Sequence, residues 1–102
     1  MAVDFRQVRI NFDPTSGREQ RESGTAVFNS TVRRANAALK GFSIGYNNGD
    51  HELLRETVDV DVTSIISNTV TVAVDFLLRD SSGNIDDPYS GFAEVLVMAD
   101  VA

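Results

Sequence analysis

The sequence predicts an all-β fold, a small antiparallel sandwich of six strands, on three observations. Apolar and polar residues alternate with a period of two through most of the chain, as they do in strands that bury one face. Turn residues interrupt this alternation at short intervals, and no stretch shows a firm helical period. A length of 102 residues supports one hydrophobic core, so we expect a single domain over residues 1–102.

Two strands are predicted in the first third of the chain. Val3–Phe12 is the first strand, and the polar, glycine-containing segment Asp13–Gly24 is predicted to be a loop. Thr25–Val32 alternates again, which predicts a second strand.

The next segment permits two interpretations. Ser30 could cap a short helix that Gly41 ends. We favour a turn at Arg33–Asn36 and a strand over Ala37–Tyr46, because the strand pattern continues directly into the turn signal Asn47–Asp50.

A hairpin is predicted in the second half of the chain. Leu54–Val62 and Val70–Leu78 each keep their apolar residues on one face and their polar residues on the other. Ser67–Asn68 lies between them as the turn.

The last predicted strand, Gly91–Val101, is apolar on both faces. One row runs from Ala93 to Val101, and the other contains Phe92, Leu96 and Met98. In a small antiparallel protein such a strand needs a second cover, commonly another subunit. We therefore predict a homo-oligomer.

Composition excludes several classes of function. Nine Lys and Arg against fifteen Asp and Glu give a net charge of −6, which disfavours binding to nucleic acids or anionic membranes. No stretch approaches the roughly 20 apolar residues of a membrane helix, and Met1–Arg6 does not resemble a secretory signal. We expect a soluble protein that is cytoplasmic or exported by a non-classical route.

Metal and cofactor chemistry has little support. Cysteine is absent and His51 is the single histidine, which excludes thiolate sites and multi-histidine zinc sites. His51 lies between Asp50 and Glu52, but adjacent residues on a turn diverge, and we interpret it as an exposed loop histidine. Asp80–Asp87 is rich in the oxygen ligands that Ca²⁺ prefers, yet it lacks the acidic spacing of an EF-hand, so a solvated loop is favoured. We expect no metal and no cofactor.

Three carboxylates are the remaining candidates for catalysis. Asp59, Asp61 and Asp75 should lie on the polar faces of neighbouring strands, where closely spaced carboxyl groups could exchange protons. Such rows more often protect strands and keep them soluble, and we predict that the protein is not an enzyme. The basic doublet Arg33–Arg34 is too small for a nucleic-acid site and is predicted to lie in a loop or in an interface ion pair.

Several features between Thr25 and Val101 occur in a familiar order. They are Phe28 before a turn, Gly41–Tyr46 followed by Asn47–Asp50, Leu54–Arg55 opening an alternating strand, the strand Val70–Leu78, and the closing apolar strand Ala93–Val101. This order resembles the H-type lectin domain, the six-stranded antiparallel sandwich of certain invertebrate agglutinins. The resemblance is one of pattern and contains no sharp motif.

The resemblance implies trimers, often paired into hexamers, that bind sugars in grooves between subunits. Arg55 occupies the place of the arginine that contacts sugar in this family, and Asp50 and His51 of the preceding turn are its expected neighbours. The chain departs from the family in lacking Trp, in having no histidine around Leu77–Asp80, and in carrying Val and Met where the closing strand is often aromatic. Two functions stay open, a multivalent carbohydrate-binding module and an assembly protein with this fold and no sugar site.

Overall fold

Within the part of the chain that the structure describes, six antiparallel strands form two three-stranded sheets. The computed structural model describes residues 2–15, 20–46, 53–80 and 89–102, with the side chains of residues 14–15, 53–55 and 78–80 outside that description. The strands are β1 (Ala2–Thr15), β2 (Gln20–Val27), β3 (Val32–Tyr46), β4 (Leu53–Ile66), β5 (Thr69–Asp80) and β6 (Tyr89–Val101). Sheet A has the order β1-β6-β3 and sheet B the order β2-β5-β4. The predicted all-β architecture is confirmed.

The core lies between the two sheets, and the central strands β5 and β6 supply most of it. Their inward rows follow the period of two and are almost fully buried: Val70, Val72, Val74 and Phe76 on β5, and Ala93, Val95, Val97 and Ala99 on β6. The predicted apolar row of β4 is confirmed, because Val58, Val60 and Val62 pack against this core. The described ranges contain no helix, and so none that could cross a membrane.

Aromatic packing closes one end of the core. The ring centroids of Phe12 and Phe76 are 4.1 Å apart, and Tyr89 packs edge-on against Phe12. The Tyr89 hydroxyl donates a hydrogen bond to the Phe76 carbonyl at 3.1 Å, and the buried Gln20 amide donates to the Tyr89 carbonyl at 3.2 Å. These bonds satisfy buried polar groups where the two sheets meet.

The junction between β2 and β3 differs from the prediction. A turn at Arg33–Asn36 is wrong, because these residues continue β3 and the bend lies between Phe28 and Val32 instead. The Phe28 N–H donates to the Asn68 carbonyl at 2.9 Å, the Asn68 amide donates back to the Phe28 carbonyl at 2.9 Å, and the Val32 N–H donates to the Ser67 carbonyl at 2.8 Å. The hairpin turn between β4 and β5 therefore sets the position of this bend.

The predicted loop Asp13–Gly24 is also too long. β1 extends to Thr15 and β2 begins at Gln20, so Gly24 lies inside a strand. A Cβ added at Gly24 would lie 2.8 Å from Val8 Cγ1 on the facing sheet. The glycine therefore makes room between the sheets and does not mark a turn.

Candidate functional site

The predicted sugar-site residues lie mostly outside the described residues. Asp50 and His51 fall in the gap between residues 46 and 53, and residues 81–87 of the proposed solvated loop fall in the gap before residue 89. Arg55 lies in β4 with its backbone opposite Arg79 of β5, and its side chain is outside the description. The strand that carries Arg55 is an edge strand of sheet B. The assignment of these three residues to a sugar site stays a prediction.

The outer face of sheet A, called the A face here, is the most distinctive surface of the described chain. The register places Val3 beside Asp100 and Arg34, Phe5 beside Met98 and Asn36, and Gln7 beside Leu96 and Ala38. Further along lie Arg9, Lys40, Phe92 and Glu94, which complete the A face. Val3 is 61% exposed and Phe5 is 52% exposed, whereas Leu96 and Met98 are partly exposed.

The second apolar row predicted for the last strand is confirmed as an outward row, and it divides into two parts. At one end, the Arg9 guanidinium lies 3.8 Å from the centroid of the Phe92 ring. This cation–π contact covers Phe92 from within the chain. At the other end, Leu96 and Met98 have Phe5 of β1 as an apolar neighbour instead of a charged cover. The uncovered apolar area therefore lies toward Val3.

A network of paired charges surrounds Glu94. Its carboxylate lies 3.7 Å from Arg9 and 3.9 Å from Lys40, and it accepts a hydrogen bond from the Gln7 amide at 2.9 Å. Lys40 Nζ in turn donates to the side-chain oxygen Oε1 of Gln7 at 2.7 Å. Two bases, Arg9 and Lys40, thus share one acid, Glu94, so this part of the A face keeps a net positive charge.

A separate ion pair on the A face joins Asp100 and Arg34. Arg34 Nη2 lies 3.6 Å from Asp100 Oδ2, which is ion-pair range but too long for a hydrogen bond. Within the described residues, Asp100 Oδ1 is buried and accepts no hydrogen bond. Both residues line a shallow groove of about 310 Å³ together with Val3 and Met98. Arg34 thus forms this ion pair within one chain and from a strand. The predicted loop is wrong for Arg33–Arg34, and an interface ion pair stays a prediction.

The free edges of sheet A are protected against further strand pairing. On β1, the Phe5 N–H donates to Asp4 Oδ1 at 2.8 Å and the Phe5 carbonyl accepts from Arg6 Nη1 at 2.8 Å. On β3, the Ala37 N–H donates to Asn36 Oδ1 at 3.0 Å. Capping of edge amides and carbonyls by charged or amide side chains discourages addition of another strand.

The outer face of sheet B, called the B face here, carries hydroxyl and carboxylate groups and, at one end, the exposed side chains of Val27 and Ile66. The predicted placement of Asp59, Asp61 and Asp75 on the polar faces of neighbouring strands is confirmed, and one carboxylate oxygen of each lies within 4.8 Å of the others. Arg21 donates to Asp75 Oδ2 at 2.6 Å. The hydrogen bond and the charge of Asp75 raise the pKa of Arg21 above its ordinary value, with smaller contributions from Asp61 and Asp59. Arg21 therefore stays charged and offsets part of the negative charge of the cluster.

Sequence reasoning missed three contributors to these faces. The predicted loop Asp13–Gly24 contains Arg21, which lies in β2, and the two apolar rows predicted for Gly91–Val101 leave Asp100 without a role. Phe5 belongs to the outward row of β1, whose inward row consists of Val8, Ile10 and Phe12. The apolar residues of β1 stand at odd positions up to Phe5 and at even positions from Val8 onward. This change in the sequence indicates that both faces of β1 carry apolar residues.

Comparison with protein families, with characterised proteins and with solved structures gave no significant match. The surface chemistry of the sandwich is therefore the basis for the functional proposal.

Proposed function

We propose that this protein is a non-catalytic binding module that works as a homo-oligomer, with carbohydrates as its ligands and a trimer or hexamer as its assembled state. The observation that carries the proposal is the uncovered apolar part of the A face. Phe5, Leu96 and Met98 lie side by side there and leave apolar surface in contact with water. Contiguous exposed apolar surface of this kind favours association.

The dimensions of the sandwich support association through a face. The molecule measures 50 × 18 × 17 Å, so one full face offers ~900 Å², close to the roughly 800 Å² that each partner contributes to an interface of standard size. The capped peptide groups of Phe5 and Ala37 disfavour the alternative, which is pairing of edge strands.

Carbohydrate is the proposed ligand because of Arg55 and the resemblance to the H-type lectin domain. A guanidinium group donates two parallel hydrogen bonds, which suits the neighbouring hydroxyls of a sugar ring. Arg55 lies on an edge strand of sheet B, at the side of the sandwich and not on the A face, so the proposed sugar site is separate from the A-face contact. Asp50 and His51, which precede β4 in the sequence, are the proposed neighbours. Binding involves no bond-making step, and several weak sites on one oligomer would gain affinity from multivalency.

The alternative function is an assembly protein with the same oligomer and no sugar site. The absence of Trp favours it, because aromatic residues are frequent partners of sugar rings in the family that the chain resembles. Both functions share the A-face oligomer, so they differ only in whether Arg55 binds a ligand.

One experiment separates the two functions. We expect the unmodified protein to bind glycans on an array and Arg55→Ala to lose most of that binding, since one good charge-assisted contact contributes roughly 1.5–3 kcal/mol. Arg33→Ala is a matched control, because it removes an exposed arginine from another strand. Native mass must be equal for all three proteins. Absence of glycan binding by an oligomeric parent supports the assembly protein, and equal binding by Arg55→Ala contradicts the assigned site.

A further inference from the structure

One side of the sandwich leaves part of its core in contact with water. This side lies between β3 and β4, which are edge strands of sheets A and B, and it is called the seam here. Leu39, Phe42 and Ile65 lie opposite fully buried residues of the central strands, so they belong to the inward rows. Their exposed fractions are nevertheless 36%, 44% and 38%. The inward rows of β3 and β4 thus lack a complete cover along the seam.

The opposite side of the sandwich, between β1 and β2, is better covered. The inward row of β1 is buried there at Val8, Ile10 and Phe12. Arg6 Nε donates to the Val27 carbonyl at 3.1 Å and ties the two sheets together. Among the described side chains of β3 and β4, by contrast, only Val32 is fully buried. Apolar side chains gain free energy when they leave water, so the seam is the side that favours a partner.

The two edge strands of the seam carry opposite charges. β3 contains three bases and no acid, whereas β4 contains three acids and one base. Lys40 of β3 shares its acid, Glu94, with Arg9, so positive charge is in excess there. Within the described side chains, no base lies in ion-pair range of Asp61 of β4. Each edge therefore offers charge of the sign that the other edge lacks.

Lys40 and Asp61 lie at the same level along the strands, on opposite outer faces. Register partners connect Leu39, Val95 and Val8 in sheet A, and Gly24, Val72 and Val62 in sheet B. The two rows meet across the core, because a Cβ at Gly24 would lie 2.8 Å from Val8 Cγ1. Lys40 follows Leu39 and Asp61 precedes Val62, and both steps lead toward the same end of the molecule.

We propose that a second copy of this chain covers the seam, with β3 of one copy beside β4 of the other and Lys40 of the first paired with Asp61 of the second. The proposal rests on the homo-oligomer proposed above and assigns it a contact surface besides the A face. Because the two residues share one level, copies related by rotation about an axis along the strands bring them together without sliding. The exposed inward side chains of the seam then leave water at the centre of the contact.

The contact is made by side chains and joins two different edges. Asn36 Oδ1 accepts from the Ala37 N–H at 3.0 Å, which discourages main-chain pairing along β3. A contact between two different surfaces is head-to-tail, and it closes into a ring when the rotation between copies closes. The proposed trimer is such a ring.

Charge reversal tests the Lys40–Asp61 pair. Lys40→Glu and Asp61→Lys are prepared singly and combined in one chain, and self-association is measured by sedimentation velocity. We expect each single variant to associate about tenfold or more weakly than the parent, because like charges then meet across the seam. The combined variant should recover most of the association, because every contact between copies again pairs opposite charges. A combined variant that associates no better than the single variants overturns the proposal.

Arg9→Glu is the matched control for Lys40→Glu. Arg9 also shares Glu94, but it lies on β1, at the other side of the sandwich. It should weaken association less than Lys40→Glu, and an equal or larger loss overturns the proposal. Circular dichroism establishes that each variant is folded. Lys40→Gln and Asp61→Asn replace a variant that does not fold; each should weaken association severalfold, and association equal to that of the parent overturns the proposal.

A covalent test can address Lys40 alone, because it is the only lysine of the chain. A water-soluble carbodiimide joins a lysine amine to a nearby carboxylate as an amide, with loss of water. In an equal mixture of isotopically heavy and unlabelled protein, we expect a Lys40–Asp61 cross-link that joins one heavy and one light peptide, identified by mass spectrometry. Lys40→Arg keeps the charge, so it should associate like the parent and give no such product. Absence of the heavy–light product from an oligomeric parent overturns the proposal.

The parent's mass separates failure of this contact from failure of the proposed function. A monomeric parent overturns the proposed homo-oligomer and the seam contact with it. An oligomeric parent that none of the seam substitutions weakens overturns only the seam contact.

Discussion

Each outer face of the sandwich consists of every second residue of its strands. The two faces differ in how well water solvates those side chains. On the B face, Thr69, Thr71 and Asp75 point outward from the central strand β5. On the A face, the corresponding row of β6 includes Leu96 and Met98. Hydroxyl and carboxylate groups are well hydrated, whereas apolar side chains gain free energy when they leave water. This difference at the centres of the two faces is the basis for proposing the A face, rather than the B face, as the contact surface.

The two outer faces also differ in how their charged side chains are distributed. The B face concentrates Asp59, Asp61 and Asp75 around one arginine, Arg21. The A face distributes both signs so that each acid has a basic neighbour, as at Glu94. Repulsion between copies would thus oppose contact through the B face more than contact through the A face.

The largest expected effect comes from placing a charge in the apolar part of the A face. Leu96→Asp or Met98→Asp should dissociate the oligomer or unfold the chain, because an unpaired charge in a dry interface costs several kcal/mol, on the order of 3–5. Light scattering at micromolar concentration measures the mass, and circular dichroism shows whether the chain is folded. Thr71→Asp makes a similar change at the centre of the B face and should keep the parent's mass. A parent that scatters as an 11.1 kDa monomer would break the comparison between the faces.

A smaller effect is expected inside sheet A, where Gly91 of β6 lies against the backbone of β3. A Cβ at Gly91 would collide with the carbonyl oxygen of Ser43 and lie 2.9 Å from the Ile44 Cα. Gly91→Ala should lower the free energy of unfolding by about 1–3 kcal/mol, the usual range for overpacking, as measured by denaturant titration. Gly45→Ala is the matched control, since a Cβ there has no atom within 4 Å. Equal stability of the two variants would contradict this close approach of β3.

The smallest effect is expected on the B face. Asp59 and Asp75 lie directly opposite each other in the register of β4 and β5. Like charges in that position repel, so Asp59→Asn should raise the free energy of unfolding by about 0.2–1 kcal/mol at low salt. The gain should shrink as salt is added, because exposed charges are screened. Thermal unfolding at two ionic strengths measures both effects, and a loss of stability would show that the cluster holds the sheet together.

Local patterns in the sequence were sufficient for much of the fold. Alternation of apolar and polar residues identified the inward rows of β4, β5 and β6, and Ser67–Asn68 marked the hairpin turn. The outward apolar row of β6 was visible in the same way. These features are local, because the side-chain direction in a strand follows from the period of two alone.

The tertiary structure decided what depends on residues far apart in the chain. The bend between Phe28 and Val32 follows from bonds to Ser67 and Asn68, so the glycines and polar residues nearby did not reveal it. In the same way, the meeting of Arg34 with Asp100 and of Arg21 with Asp75 depends on which strands pair. By itself, then, the sequence determined which rows are buried and that one strand is apolar on both faces. The order of strands in the two sheets, and with it the position of the outward apolar row on one face and of the carboxylate cluster on the other, arose only in the tertiary structure, because pairing is set by the complementarity of whole strands across the core.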